Sequence, residues 1–285
     1  MNVERIGIAG VGLIGGSIAL RARQAGLPVI GYDRDAAVLS RALASGAIDA
    51  AAPDLERLAR DSQTLVIALP VDATRAALLR LAGTRGPALV MDVASVKAPL
   101  AAAGSEVANY LGTHPMAGRE QGGLGFANPA LFDNATWAHM PHPDAELVAK
   151  TRAFIASMGA LPLEIDPERH DAIVALTSHL PQALAVLLGS ELAAAARDDR
   201  RVMELCGPGM MTMLRLARSP QNIWAPIVTA NAQPIAKRLR SIARAIDAAA
   251  AALEADESAP LMAQFALARE AVEDLEERIV PSPRS

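Results

Sequence analysis

Eight residues, Gly10-Val-Gly-Leu-Ile-Gly-Gly-Ser17, constrain this chain more than any others. They separate the apolar run RIGIAG (5–10) from an amphipathic segment, and within them Gly10, Gly12 and Gly15 satisfy the spacing G-x-G-x-x-G. At a strand-to-helix turn each glycine has its own duty. Gly10 permits the tight turn, Gly12 lets backbone approach a pyrophosphate, and Gly15 lets the helix pack on the strand. The helix would open at Leu13 and Ile14, whose N–H groups face the anion. The second apolar run, PVIGYD (28–33), ends on Asp33, where a carboxylate can bind the adenine ribose hydroxyls. Asp33 would repel a ribose 2′-phosphate, which points to NAD; the adjacent Arg34 could pair with that phosphate, so NADP stays open as the alternative. The glycine motif alone is a weak signal, and its weight here comes from the strand, helix and acidic residue around it.

Further apolar runs, TLVIALP (64–70) and ALVMDVAS (88–95), alternate with helical stretches. That order predicts βαβ units and a mainly parallel sheet, an α/β Rossmann-like N-terminal domain over residues 1–165. ATWAHMP (135–141) and ALPLEID (160–166) flank a helical 143–159 and extend the sheet. From Asp166 the pattern changes, because no β-branched runs recur and Ala/Leu-rich helical segments take over at 167–197, 200–218, 221–255 and 259–279. Residues 166–285 therefore read as an all-α domain, started by the Asp166-Pro167 cap and broken before its last helix at DESAP (256–260). Ile242, Ile246, Ala249 and Leu253 keep a helical apolar stripe through the Ala-rich stretch. Helices so rich in small side chains can pack closely on each other or on a second subunit, and an open bundle of them points to a homodimer.

A chain of 285 residues with 52% hydrophobic and 20% charged residues can bury a sizeable core. A net charge of −4 offers no broad basic surface, so neither nucleic acid nor an anionic membrane is expected as partner. No run of uninterrupted apolar residues reaches the length of a membrane span. A single cysteine, Cys206, fits the reducing cytoplasm. His139 and His142 bracket Met140-Pro141, but no Cys, Asp or Glu completes a ligand spacing; both read as surface histidines, and no metal is expected.

In DVASVK (92–97), Ser95 and Lys97 emerge at the carboxyl end of a strand, the side on which open α/β sheets bind ligands, and NYLGTHP delivers His114 to the same edge. There a histidine can take a proton near neutral pH, and a serine hydroxyl can fix its tautomer. By type and position alone His114 reads equally as a structural histidine. His170, in DPERHDA, reads as a first-turn helix residue.

GVGLIGGS, DVASVK, THPMAGREQGG (113–123), TSHLPQALA (177–185) and LRLARSPQNIW (214–224) together resemble the prephenate and arogenate dehydrogenases of tyrosine biosynthesis, in the family's order and over nearly the whole chain. The resemblance implies an oxidative decarboxylation in which NAD takes hydride from the hydroxyl-bearing ring carbon while the ring carboxylate leaves as carbon dioxide. It implies that His114 is the base at the ring hydroxyl, Ser95 a serine linked to that contact, and Arg215 the arginine that grips a substrate carboxylate. Glu120 matches an acidic residue near the substrate, Ser178 a contact from a helix facing the cleft, and Trp224 an aromatic that reaches across a dimer, although core packing explains that tryptophan more simply. His179 is expected to pack within its helix. Two positions depart from the family pattern. Gln182 stands where prephenate-preferring members often carry histidine, and Arg119 where many carry Thr or Ser, which leaves prephenate against arogenate open. The competing readings are another two-domain NAD(P) reductase of the hydroxyacid dehydrogenase or imine reductase type, with lysines as acid–base groups, and a non-catalytic NAD-binding sensor.

Overall fold

The computed structural model describes residues 4–84, 86–118 and 121–279; Arg119 and Glu120 lie outside them. The chain begins β1 (Ile6–Ala9), α1 (Leu13–Gln24), β2 (Val29–Tyr32), α2 (Ala36–Ala44), β3 (Ala50–Ala51), α3 (Leu55–Asp61), β4 (Thr64–Ile67), α4 (Val71–Leu81), β5 (Leu89–Asp92), α5 (Ala98–Gly104) and β6 (Tyr110–Pro115). After a 3-10 turn at Leu124–Phe126 come β7 (Thr136–His139), α6 (Ala145–Ser157) and β8 (Leu161–Glu164). The strands form one sheet in the order β3-β2-β1-β4-β5-β6-β7-β8. Pairing is parallel from β3 through β6, antiparallel between β6 and β7, and parallel again between β7 and β8. The mainly parallel sheet expected from the sequence is therefore present, with the short β3 added; two exposed alanines carry no strand signal.

Helix entries follow local chemistry. Asp35, Asp54, Asp144 and Asp166 each accept hydrogen bonds from backbone N–H groups of the turn they open. Alternation along the strands then divides the core. Ile6 and Ile8 join Met91, Leu111, Trp137 and Ile155 on one face, while Ala9, Leu65, Ile67 and Val90 join Leu78 and Leu100 on the other.

Beyond β8 the described chain is helical: α7 (Pro167–Val174), a π turn at Ala175–His179, α8 (Leu180–Asp198), α9 (Arg201–Glu204), α10 (Pro208–Met213), a 3-10 turn at Arg215–Arg218, α11 (Gln221–Ala230), α12 (Ala232–Glu254) and α13 (Ala259–Ile279). The helix expected at 167–197 is present and runs through the π turn, whereas two others of the sequence reading are broken. Gly207-Pro208 divides 200–218, and Asn231 divides 221–255, its φ of −115° and ψ of 27° leaving the helical region. Packing groups the residues up to Ile235 into one compact unit and those from Ala236 onward into a second. In the first unit α7 packs on α5 and α11 on α4, so helices of the C-terminal region touch the sheet's own helices. In the second, the remainder of α12 and α13 carry exposed apolar side chains, Leu253 and Phe265 among them.

Pro167–Asp198 is one continuous helical stretch of 32 residues, long and apolar enough by length and composition to cross a membrane. A criterion of uninterrupted apolar residues does not flag it, because His170, Asp171, His179 and Gln182 punctuate it. All four are buried within the fold.

Candidate functional site

The glycine loop has the geometry its spacing predicts. Gly10 sits at a φ of 92°, and a side chain there would overlap the Ala68 carbonyl. A Cβ at Gly15 would overlap the Gly10 carbonyl oxygen, so this glycine is what lets α1 lie against β1. At Gly12 the same test meets nothing within 4 Å, which leaves open space where a pyrophosphate would lie. No side chain among the described residues caps α1, so the N–H groups of Leu13 and Ile14 stay available to an anion. Asp33 is half-buried at the end of β2 and accepts hydrogen bonds from Val11 N at 3.0 Å and Asp35 N at 3.0 Å. Those bonds fix its carboxylate beside the loop and leave lone pairs over for a ribose. Arg34 is exposed next to it. These residues fit a dinucleotide.

The segment that follows His114 returns to this loop. Leu124 packs within 2.8 Å of where a Gly16 side chain would stand, and Asn128 N donates to Ser17 Oγ at 2.9 Å. The histidine's own connection thus lies against the first turns of α1.

His114 is half-buried at the carboxyl end of β6. Its Nδ1 lies 2.9 Å from His170 Nε2, and His170 Nδ1 lies 2.7 Å from Asp171 Oδ1. The two rings meet edge to face, with centroids 5.1 Å apart. Asp171 also accepts from Lys97 N at 2.8 Å and Ala98 N at 2.9 Å, capping α5 from a distant part of the chain. Burial, reinforced by positive potential from His170, Lys97 and His179, holds His114 well below the ordinary histidine range. It is a neutral imidazole at pH 7.

Lys97 lies beneath this histidine, buried, with Nζ paired to Asp92 and donating to the Thr113 carbonyl at 2.6 Å. Burial pulls the Lys97 ammonium below its usual range, while Asp92 and Asp171 oppose that pull. Asp92 is held in turn by Tyr110 Oη at 2.6 Å and Ala94 N at 2.8 Å. Thr113 accepts from Trp137 Nε1 at 2.9 Å. The residue before His114 is therefore fixed from both sides, and Lys97 is committed to structure. It cannot serve as the exposed acid–base lysine that a hydroxyacid-dehydrogenase reading needs.

The structure draws some expected site residues together and separates others. Ser95 is half-buried just after β5, but among the described residues no hydrogen bond joins it to His114, whose ring is oriented through His170 instead. Ser178 is exposed, and its neighbour His179 turns inward to meet Asn231 Nδ2 at 3.0 Å and the Trp224 ring at 5.9 Å between centroids. Burial takes His179 down to about 4, with Asp171 opposing and the neighbouring His170 adding to the fall. Gln182 is buried and donates from Nε2 to the Leu216 carbonyl at 3.0 Å, tying α8 to the turn that Arg215 begins. Its Oε1 has no hydrogen-bond partner among the described residues. Arg215 itself is exposed. Arg119 and Glu120 fall outside the described residues.

His170, Asp171 and Asn231 are the residues sequence reasoning missed. His170 does occupy a helix's first turn, as expected, but the only further signal was the polar pair His-Asp directly after a cap; the partner lies 56 positions away. His139 also departs from expectation. It is fully buried in β7 because its strand lies inside the sheet, whereas His142 is exposed. No group of three His, Cys, Asp or Glu residues suited to a metal occurs among the described residues.

Comparison with known proteins agrees with this architecture. Residues 17–162 match the family model described as prephenate dehydrogenase, nucleotide-binding domain, and residues 166–267 match prephenate dehydrogenase, dimerization domain. Prephenate dehydrogenase of Bacillus subtilis is 29% identical over 94% of this chain and 75% of its own length. A crystal structure of prephenate dehydrogenase from A. aeolicus, in complex with hydroxyphenyl propionate and NAD+, superposes with a TM-score of 0.87 over 95% of this chain and 99% of that one; at 23% identity the likeness is one of fold. Synechocystis arogenate dehydrogenase, 25% identical, superposes at 0.79 over 95% and 99% of the two chains. The two consecutive domain matches together span both the strand-rich and the helical regions, and on that ground the chain belongs to the prephenate dehydrogenase family.

Proposed function

We propose that this protein is an NAD-dependent dehydrogenase that oxidatively decarboxylates arogenate, prephenate or both, giving tyrosine or 4-hydroxyphenylpyruvate. The observation that carries this reading is the neutral, ring-oriented His114, set at the sheet's carboxyl edge on a connection that packs against the glycine loop. The nicotinamide, when bound, accepts the hydride. The chain's own task is to hold the ring, take the hydroxyl proton and orient two carboxylates. His114 takes the proton, Ser95 after β5 is assigned to the same ring hydroxyl, and Arg215 is assigned to a substrate carboxylate, which a planar guanidinium suits. Glu120, Arg119 and Ser178 are assigned to the substrate side, and Gly10, Gly12, Leu13, Ile14, Gly15, Asp33 and Arg34 to the cofactor.

Gln182 favours arogenate. One of its two Nε2 N–H groups is used on the Leu216 carbonyl, and its amide oxygen is the atom without a hydrogen-bond partner among the described residues. That open acceptor suits the ammonium of an amino acid. Residues 1–165 form the cofactor domain in this reading. Residues 166–285 form the substrate and dimer domain of a cytoplasmic homodimer.

The test is turnover of prephenate and arogenate with NAD or NADP, followed as reduced nicotinamide at 340 nm. The reading expects turnover with NAD, a higher kcat/KM for arogenate, and less than a tenth of that value with NADP. His114→Asn should lower kcat by about a hundredfold or more, and Arg215→Ala should chiefly raise KM. Absence of turnover with either substrate overturns the assignment.

A further inference from the structure

Resting on that dehydrogenase reading, we propose that His170 and Asp171 are positioning residues that fix which nitrogen of His114 bears hydrogen, leaving Nε2 as the lone pair that meets the substrate hydroxyl. The tautomers follow from the chain of partners. The Asp171 carboxylate accepts from two backbone N–H groups and from the His170 ring, so the proton on that ring sits on Nδ1. In the proposed arrangement His170 Nδ1 donates to Asp171 and its Nε2 is the acceptor that faces His114. The 2.9 Å contact to His114 therefore needs a proton on His114 Nδ1, which leaves its Nε2 unprotonated.

The arrangement has rigid anchors on both sides. Asp171 is tied to the start of α5, and its backbone carbonyl accepts from Asn231 Nδ2 at 2.9 Å. His114 lies on a strand whose preceding residue is held by Lys97 and Trp137. Neither ring can turn over without breaking bonds to buried groups. In the reaction the hydroxyl proton moves to His114 Nε2 as hydride leaves the ring carbon. The imidazolium that forms keeps its Nδ1–H on His170, now as a charge-assisted hydrogen bond. No proton needs to pass to His170. Free histidine in water prefers the opposite tautomer, with hydrogen on Nε2, and that form would present a donor to the hydroxyl and could not act as base.

The experiment is ¹⁵N NMR of histidine-labelled protein without substrate, above the histidine titration range. With five histidines in the chain, each signal can be assigned by its loss in a single variant. His114 is expected as the Nδ1–H tautomer, His179 and His142 as Nε2–H because Asn231 and Asp144 donate to their Nδ1 atoms. His170→Ala should convert His114 largely to the Nε2–H form and lower kcat about 10- to 100-fold with KM changed less than about threefold. His170→Gln, whose amide oxygen can stand in for the lost Nε2, should restore part of both; it also serves if the alanine variant does not fold. An Nε2–H His114 in the wild-type protein, or an unchanged His114 tautomer in the variants, overturns the proposal. Because the tautomer is read without turnover, an enzyme inactive on both substrates would sink the dehydrogenase reading and leave this measurement to decide the positioning role on its own.

Discussion

Burial is the largest cause that lowers both His114 and His179 below the ordinary histidine range, so both rings are neutral at pH 7. The consequence reaches folding as well as catalysis. His179 titrates at about 4 in the folded chain, below its unfolded value near 6.5. Below pH 6.5 the unfolded chain therefore binds a proton that the folded chain refuses, so stability falls as pH falls from about 6.5 towards 4, by about 1.4 kcal/mol per pH unit for this residue. His114 is shifted the same way and adds to the slope. His179→Asn keeps an acceptor for Asn231 while removing the titrating ring; urea unfolding between pH 7 and 5 should show a shallower loss of stability than the wild type, and an equal slope would contradict the assignment. At the level of single residues the sequence revealed His114 through its position after an apolar run. It hid His170 and Asp171, because what matters about them is a contact across 56 positions, and no local pattern encodes that.

The glycine loop separates two demands that a motif match runs together, since Gly15 is required by the fold and Gly12 by the ligand. Alanine inside a helix is ordinarily favoured over glycine by about 1 kcal/mol. At Gly15 that gain is outweighed, because the added Cβ would strike a backbone carbonyl that cannot rotate away, and overpacking of this kind costs about 1–3 kcal/mol. At Gly12 the φ is −87° and the Cβ would meet nothing within 4 Å, so the same change should leave stability within about 1 kcal/mol. Gly12→Ala should nevertheless raise the NAD KM at least about tenfold, because it fills the space a phosphate uses. Thermal unfolding of both variants beside their NAD titrations decides it; a Gly12→Ala protein with unchanged NAD affinity would remove the pyrophosphate from this loop. The strands were legible for the same kind of reason, since short apolar runs such as TLVI and LVMD, bounded by turn signals, leave few alternatives. The helix breaks were not. Asn231 ends α11 at a position where its amide bonds the Asp171 carbonyl and His179, both distant in sequence.

In the whole molecule the apolar surface is larger than one copy needs. Val186 and Leu187 are exposed on α8, and Met262, Phe265, Val272 and Leu275 are exposed along one broad face of α13. Single exposed apolar residues are ordinary, whereas rows of them on successive helical turns mark an interface. A second copy of the chain is the occupant that each of these faces suits, because residues 166–267 match a dimerization domain and Ile246 and Leu253 on α12 are exposed apolar residues as well. Burying that apolar area contributes about 25 cal/mol per Å², enough for a stable dimer once the area reaches about 2,000 Å². Light scattering should therefore give twice the chain mass of 29.7 kDa at micromolar concentration. Leu187→Glu on α8 and Phe265→Glu on α13 each place a charge on an exposed apolar face, and each should weaken association at least about tenfold, or 1.4 kcal/mol. A monomeric wild type, or association that neither variant alters, would assign these faces to some other occupant. Co-flotation of the wild type with lipid vesicles would identify that occupant as a bilayer.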